Sequence, residues 1–153
     1  MSTVSSPSLA DDDWLSRSDP VRGSLALIAG PTASGKSDCA VALAQALEAK
    51  QRRAVIINAD SAQVYADLSV LSARPGPEDM GGIEHRLFGT WNGARACSAA
   101  EWASAAAAEI EQVHAAGGVP ILVGGTGLYM RTLLDGIAPI PEIQEDVRNA
   151  VRA

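Results

Sequence analysis

The sequence lacks a long apolar stretch, a secretory signal and a cysteine framework. No apolar run approaches the roughly 20 residues that span a bilayer, and the N-terminus has neither the basic start nor the apolar core of a signal peptide. The two cysteines, Cys39 and Cys97, have neither the spacing of metal ligands nor that of a disulfide framework. We therefore expect a protein of the reducing cytoplasm that does not contact a membrane.

Aromatic residues are also scarce, at 4% of the 153 residues, whereas 47% of the sequence is hydrophobic. This composition predicts a single domain with a mostly aliphatic core. The net charge is −6, but the first 20 residues contain four aspartates and one arginine and so account for half of it. We predict that residues 1–20 form a disordered acidic tail, and the nearly balanced remainder does not decide between classes of partner.

A glycine-rich turn carries the strongest signal in the chain. Residues 30–37, GPTASGKS, match the pattern G-x-x-x-x-G-K-[ST] in full. Glycines in such a turn allow main-chain N–H groups to surround phosphate oxygens, and the N-terminus of the following helix adds a favourable dipole. Lys36 adds a positive charge, and the Ser37 hydroxyl can bind Mg²⁺. The predicted diphosphate- or nucleotide-binding residues are Gly30, Pro31, Thr32, Ala33, Ser34, Gly35, Lys36 and Ser37.

Short apolar runs alternate with helical patterns around this turn. The predicted elements are strands at 24–29, 54–60, 83–90 (the weakest) and 119–125, and helices at 36–50, 98–116 and 128–135. Over residues 21–140 the alternation predicts an α/β fold, a P-loop NTPase-like layer with a parallel β-sheet flanked by helices. The sequence APIPEIQEDVRNAVRA at 138–153 reads as a proline-rich linker followed by a helix, and we expect residues 141–153 to start a truncated helical region.

The segment NADSAQVY closes the second predicted strand and contains the carboxylate of Asp60. A carboxylate at the carboxyl end of a strand beside a phosphate loop faces the ligand crevice. However, Asp60 or Ser61 would equally suit the N-cap of a helix starting at Ser61. The spacing alone does not decide between a functional role and a capping role.

A second glycine turn, GGTGLYMR, begins at Gly124. It does not match G-x-G-x-x-G, so the sequence does not support a dinucleotide site. Close packing of a strand and a helix would explain Gly124 and Gly125, whereas Thr126 would place a hydroxyl at the same crevice. His85 and His114 have no second ligand nearby in the sequence, and we interpret both as structural residues rather than zinc ligands.

Taken together, the segments GPTASGKS, NADSAQVY, SARP, HRL and LVGGTGLYMRTLLDGIAPIP resemble the tRNA dimethylallyltransferases, also called tRNA isopentenyltransferases. The phosphate loop alone is shared with many kinases and NTPases. Asp-Ser-x-Gln-x-Tyr followed by Gly-Gly-Thr-x-Leu-Tyr is a much narrower combination. The resemblance implies that the phosphate loop, with Mg²⁺, holds dimethylallyl diphosphate, and that the dimethylallyl group moves to the exocyclic amine of an adenosine beside the tRNA anticodon.

The resemblance also implies roles for individual residues. Asp60 matches the family's proposed general base, and Thr126 matches a residue at the reacting centre. The implied tRNA contacts are Asp60, Ser61, Ala62, Gln63, Thr126 and Arg148. The implied partners are dimethylallyl diphosphate and the tRNA anticodon arm, and we expect a cytoplasmic monomer.

The sequence departs from the family pattern in two respects. SVLSARP stands where many members have Asp-Ile-Gly-Thr-Ala-Lys-Pro, although Ser72 and Arg74 keep a hydroxyl and a positive charge. The chain also stops before most of the helical region and C-terminal half with which family members grip the anticodon arm. We therefore expect a fragment that binds tRNA poorly and prenylates it slowly or not at all.

Two other functions fit a phosphate loop of this kind. The first is a small-molecule or nucleotide kinase that uses ATP, and the second is a non-catalytic ATP-binding module. Such kinases usually need lid arginines to clamp the transferred phosphoryl group. Arg131 is the only arginine between residues 117 and 140, and this scarcity favours the prenyltransferase.

Overall fold

The structure, a computed structural model, describes residues 23–138 and residue 151. Both the predicted acidic tail and, except for residue 151, the predicted helical region at 141–153 lie outside the described residues. The elements in chain order are β1 (Ala26–Ala29), α1 (Lys36–Ala49), β2 (Ala54–Asn58), a 3₁₀ helix (Ala66–Leu68), β3 (Glu84–Arg86), α2 (Ala99–Ala115), β4 (Val119–Gly124) and α3 (Gly127–Asp135).

The four strands form one parallel sheet in the order β1-β4-β2-β3. At the carboxyl ends, Ala29 of β1 pairs with Gly124 of β4, and Asn58 of β2 pairs with Val123 of β4. The loops that follow these three strands therefore begin at the same edge of the sheet. Ligands of open parallel sheets bind at this edge, outside the carboxyl ends of the strands.

Helices cover both faces of the sheet, which confirms the predicted α/β layer. The side chains of β2 alternate between the faces: Ile56 packs with α1, whereas Val55 and Ile57 pack with α2 and α3. All five residues of β2 and all six of β4 are buried. This explains why both strands read as continuous apolar runs rather than as alternating ones.

The third strand is shorter than the predicted 83–90. It ends at Arg86 because Leu87 takes a positive φ of 62° and Gly89 one of 63°, which turns the chain out of the sheet. The helix ends were predicted more closely: the Ser98–Glu101 capping box is present at the start of α2, and α3 stops at Gly136, whose φ is 78°. Among the described residues, no helix is long and apolar enough to cross a membrane.

Candidate functional site

The phosphate loop connects β1 to α1 at the carboxyl edge of the sheet. Two positive φ angles shape it, 59° at Ala33 and 78° at Gly35. The Lys36 ammonium donates a hydrogen bond to the Pro31 carbonyl, so the loop is closed over its own lysine. No side chain caps α1, whose first N–H groups are thus available to an anion. The loop thus places an uncapped helix N-terminus at the carboxyl edge of the sheet.

Asp60 lies two residues beyond the end of β2 and is held in a turn. Its Oδ1 accepts hydrogen bonds from the main-chain N–H groups of Ala62 at 2.8 Å and Gln63 at 3.4 Å. A helix starting at Ser61, considered above, does not form, because Tyr65 is extended and makes a β-bridge with Trp91. The capping role therefore exists, but Asp60 caps a turn rather than a helix.

Asn58, which is not among the sequence-predicted site residues, fixes the main chain at Asp60. Its fully buried side chain donates hydrogen bonds to the carbonyls of Asp60 at 3.0 Å and Leu87 at 3.1 Å, and accepts one from the Asp60 N–H at 3.0 Å. The Trp102 indole N–H donates to the Asn58 carbonyl at 2.9 Å. A polar residue inside an otherwise apolar buried strand was the available signal, since such a group needs partners.

Thr126 joins the second glycine turn to the Asp60 turn. Its Oγ1 accepts a hydrogen bond from the Ser61 N–H at 2.9 Å and donates one to Ser61 Oγ at 3.2 Å. Gly124 brings the two turns this close, because a Cβ at that position would lie 2.2 Å from the carbonyl carbon and oxygen of Ala59. Close packing does require a glycine at position 124, but its partner is the main chain after the neighbouring strand β2 and not a helix as expected.

A cleft of about 490 Å³ lies between the phosphate loop and the Asp60 turn. Of the predicted site residues, those that line it are Thr32, Ala33, Ser34, Gly35, Lys36, Ser37, Asp60, Ala62 and Gln63. Gly30, Pro31, Ser61 and Thr126 stand beside these residues without lining the cleft, and Arg148 lies outside the described residues. The remaining lining residues are Asp38, Leu71, Ser72, Ala73, Val123 and Gly124.

One wall of the cleft belongs to the loop after the 3₁₀ helix. Gln63 Nε2 donates hydrogen bonds to the carbonyls of Ser72 at 3.0 Å and Ala73 at 3.3 Å. Arg74 turns away from the cleft and donates to the Tyr65 carbonyl at 3.1 Å. Its guanidinium lies against Gly89, where a Cβ would clash with it. Arg74, which keeps the positive charge of the family pattern, is thus hydrogen-bonded to the main chain of this protein.

Tyr129, His85 and His114 have structural partners. Burial raises the pKa of Tyr129, which stacks on Trp102 with ring centroids 4.5 Å apart, so its phenol stays protonated even in alkaline solution. The rings of His85 and His114 bond to the carbonyls of Ile83 and Ser24, and neither lines the cleft. No group of three or more His, Cys, Asp or Glu side chains suited to a metal ion occurs in the described part of the chain.

The family model described as IPP transferase matches residues 63–153. The chain belongs to this family. A relative named tRNA dimethylallyltransferase from Erythrobacter litoralis is 66% identical over 142 residues, which are 93% of this chain and 43% of the relative. A relative of the same name from Sphingopyxis alaskensis is 62% identical over 129 residues, which are 84% of this chain and 41% of the relative.

Solved structures of the IPP transferase family share the fold. The full-length tRNA isopentenylpyrophosphate transferase from Bacillus halodurans superposes with a TM-score of 0.69 and 32% identity, over 84% of this chain and 41% of that one. A eukaryotic dimethylallyltransferase acting on tRNA gives a TM-score of 0.68 and 26% identity, over 81% and 31% of the two chains. The chain thus spans less than half the length of these relatives.

Proposed function

We propose that this chain forms the diphosphate site and part of the acceptor site of a tRNA dimethylallyltransferase. The reaction transfers a dimethylallyl group from dimethylallyl diphosphate to the exocyclic amine of an adenosine beside the tRNA anticodon. One observation supports this most directly: the phosphate loop and the Asp60 carboxylate line the same cleft. A prenyl transfer needs an anion site for the leaving diphosphate and a base for the amine, facing each other across the reacting carbon.

The phosphate loop would stabilise the leaving group. As the bond between the amine nitrogen and C1 forms, the bond between C1 and the bridging oxygen breaks and the diphosphate departs with the electron pair. The Lys36 ammonium and the free N–H groups at the start of α1 are suited to the charge that builds on it. The Ser37 hydroxyl lines the cleft and is an oxygen donor that suits Mg²⁺, and a bound Mg²⁺ would neutralise part of the diphosphate charge.

Asp60 would accept the proton that the amine loses. Both hydrogen bonds that hold its turn use Oδ1, and among the described residues Oδ2 has no hydrogen-bond partner. One carboxylate can therefore cap the turn and act as a base at the same time. Thr126 would position this base by holding the neighbouring Ser61 main chain, and the resemblance assigns it a place at the reacting centre.

The kinase and the ATP-binding module are less well supported. No arginine lines the cleft among the described residues, whereas a kinase would need cations around the transferred phosphoryl group. The relatives named above are dimethylallyltransferases. Binding of the tRNA anticodon arm, cytoplasmic location and a monomeric state belong to the proposal as well.

Calorimetry with Mg²⁺ tests the proposal on the chain itself. We expect dimethylallyl diphosphate to bind, and Lys36→Ala to abolish its binding because the diphosphate loses the positive charge that the loop offers. Lys50, the only other lysine, directly follows α1, which begins at Lys36, and so lies about 20 Å from Lys36 along the helix axis. Lys50→Ala is therefore a matched control that should leave binding unchanged. Tighter binding of ATP than of dimethylallyl diphosphate would favour the kinase, and unchanged binding by Lys36→Ala would refute the phosphate site.

A further inference from the structure

Leu71 is an unusually exposed apolar residue for its position. Its side chain is 88% exposed, yet it lines the cleft together with the phosphate loop and Asp60. The other aliphatic lining residue larger than alanine is Val123, which is only 6% exposed. Among the described residues, Leu71 is therefore the main apolar surface that the cleft offers to a ligand.

Main-chain and side-chain hydrogen bonds hold the loop that carries Leu71 in place. The Gln63 amide donates to the carbonyls of the two residues that follow Leu71, Ser72 and Ala73. The Ser72 hydroxyl donates to the Leu68 carbonyl at 2.6 Å. Ala73 takes a positive φ of 49°, and its carbonyl is one of the two that Gln63 holds. Leu71 is thus presented by an anchored loop, although its own side chain has little protein around it.

The chemistry of the cleft indicates what Leu71 contacts. The phosphate loop takes an anion, and the Asp60 side takes a polar amine, so both walls flanking the reacting carbon are polar. The rest of a prenyl group consists only of carbon and hydrogen and gains free energy when it leaves water. We propose that Leu71 packs against the five-carbon chain of the diphosphate substrate and sets the affinity for that chain. The inference rests on the function proposed above.

The test separates the carbon chain from the diphosphate. Binding of dimethylallyl diphosphate and of inorganic diphosphate to the chain is measured by calorimetry with Mg²⁺. Leu71→Ala should weaken binding of dimethylallyl diphosphate about tenfold, because a few apolar contacts are lost. The affinity for inorganic diphosphate should stay within about twofold of the wild-type value. Leu71→Gln keeps the length of the side chain but makes it polar, and it should also weaken binding of dimethylallyl diphosphate. Val70→Ala is the matched control, since Val70 is 89% exposed but does not line the cleft.

Other results would overturn either the role of Leu71 or the phosphate site. If Leu71→Ala weakens the binding of both ligands equally, the loop acts through the phosphate site and the proposal for Leu71 is overturned. Equal binding of both ligands to the wild-type chain would overturn it too and leave the phosphate site standing. If the wild-type chain binds neither ligand, the proposed function fails together with the inference. Since Leu71 is exposed, its variants should melt at the wild-type temperature.

Discussion

The Asp60 side chain holds a turn with one oxygen and is proposed to accept a proton with the other. Asp60→Asn keeps an Oδ1 acceptor for the N–H groups of Ala62 and Gln63, so the turn should survive. The amide is not basic, and a positioned general base typically contributes about 10²–10⁴-fold. When Asp60→Asn is introduced into a full-length family protein that contains this sequence, we expect the single-turnover rate of prenylation to fall about 10²–10⁴-fold. The melting temperature should not change.

Asp60→Ala is the comparison that isolates the structural role. It removes the two turn bonds as well as the base and should cost roughly 0.5–2 kcal/mol of unfolding free energy, as the loss of a cap does. A wild-type chemical step in Asp60→Asn would leave Asp60 as a capping residue alone. Thermal melts recorded beside the kinetics distinguish the two roles.

At the scale of the elements, the contact between the ends of β2 and β4 allows no side chain at Gly124. A Cβ there would overlap main-chain atoms of Ala59, which cannot move without shifting Asp60. We expect Gly124→Ala to destabilise the fold by about 1–3 kcal/mol or more in urea denaturation. In a full-length family protein the same variant should lose dimethylallyl transfer out of proportion to its stability, because the acceptor side of the cleft moves.

Gly127 gives a matched control three residues further on. It lies in the first turn of α3, and a Cβ at this position would meet no atom within 4 Å. Gly127→Ala should therefore be neutral or stabilise the fold by up to about 1 kcal/mol. Equal losses in both variants would show that helix geometry, rather than the strand contact, limits this region.

Ion pairs attach the edge strand β3 to its neighbours. Arg53 and Arg86 contact the Glu84 carboxylate at 2.5 Å and 2.6 Å, and Arg86 also reaches Glu109 at 2.7 Å. The hydrogen bond from Arg53, followed by the one from Arg86, lowers the pKa of Glu84 below its usual value of 4.5. A lowered pKa in the fold means that the stabilisation is present above the unfolded pKa and is lost as the pH falls through the folded one.

Glu84→Gln should therefore reduce the acid sensitivity of the fold. The wild-type chain should lose more stability between about pH 5 and pH 3 than the variant does, by less than about 1 kcal/mol because the carboxylate is 41% exposed. Urea midpoints at the two pH values measure the difference. Glu78→Gln, in the exposed 72–82 loop, is the control, and an identical acid slope in all three proteins would contradict the expectation.

The sequence predicted the elements and the phosphate loop because both depend on local patterns. Continuous apolar runs identified β2 and β4, and the glycine-lysine motif identified the loop before α1. The wall of the cleft at 71–73 was not predictable in this way, since it depends on the long-range hydrogen bonds of Gln63. The positive φ of Leu87, which shortens β3, was not predictable either, because the residue at this position is not a glycine or an asparagine.

At the scale of the whole molecule, few cations of the described chain are free to bind a nucleic acid backbone. Arg53, Arg86 and Arg95 pair with glutamates, and Arg74 bonds to main-chain carbonyls. Lys36 is proposed to hold the diphosphate. Because contacts to phosphates supply much of the affinity for nucleic acids, this chain should bind tRNA weakly.

We expect the 153-residue chain to bind dimethylallyl diphosphate yet prenylate an anticodon stem-loop very slowly or not at all. The comparison is a full-length relative such as the one from Erythrobacter litoralis, of which this chain covers 43%. Turnover is measured by transfer of labelled dimethylallyl groups at equal enzyme concentrations. A rate close to that of the relative would contradict the expectation and place the tRNA contacts within these residues.

The buried indole of Trp102 gives this protein an optical signal next to its own cleft. Its N–H is bonded to Asn58, two residues before Asp60, and its ring is completely shielded from water. The emission of such an indole is blue-shifted and moves to longer wavelength when water reaches it. Replacing Trp14 and Trp91 with phenylalanine leaves Trp102 as the single tryptophan. Ligand titrations and unfolding then become readable by fluorescence without any attached dye.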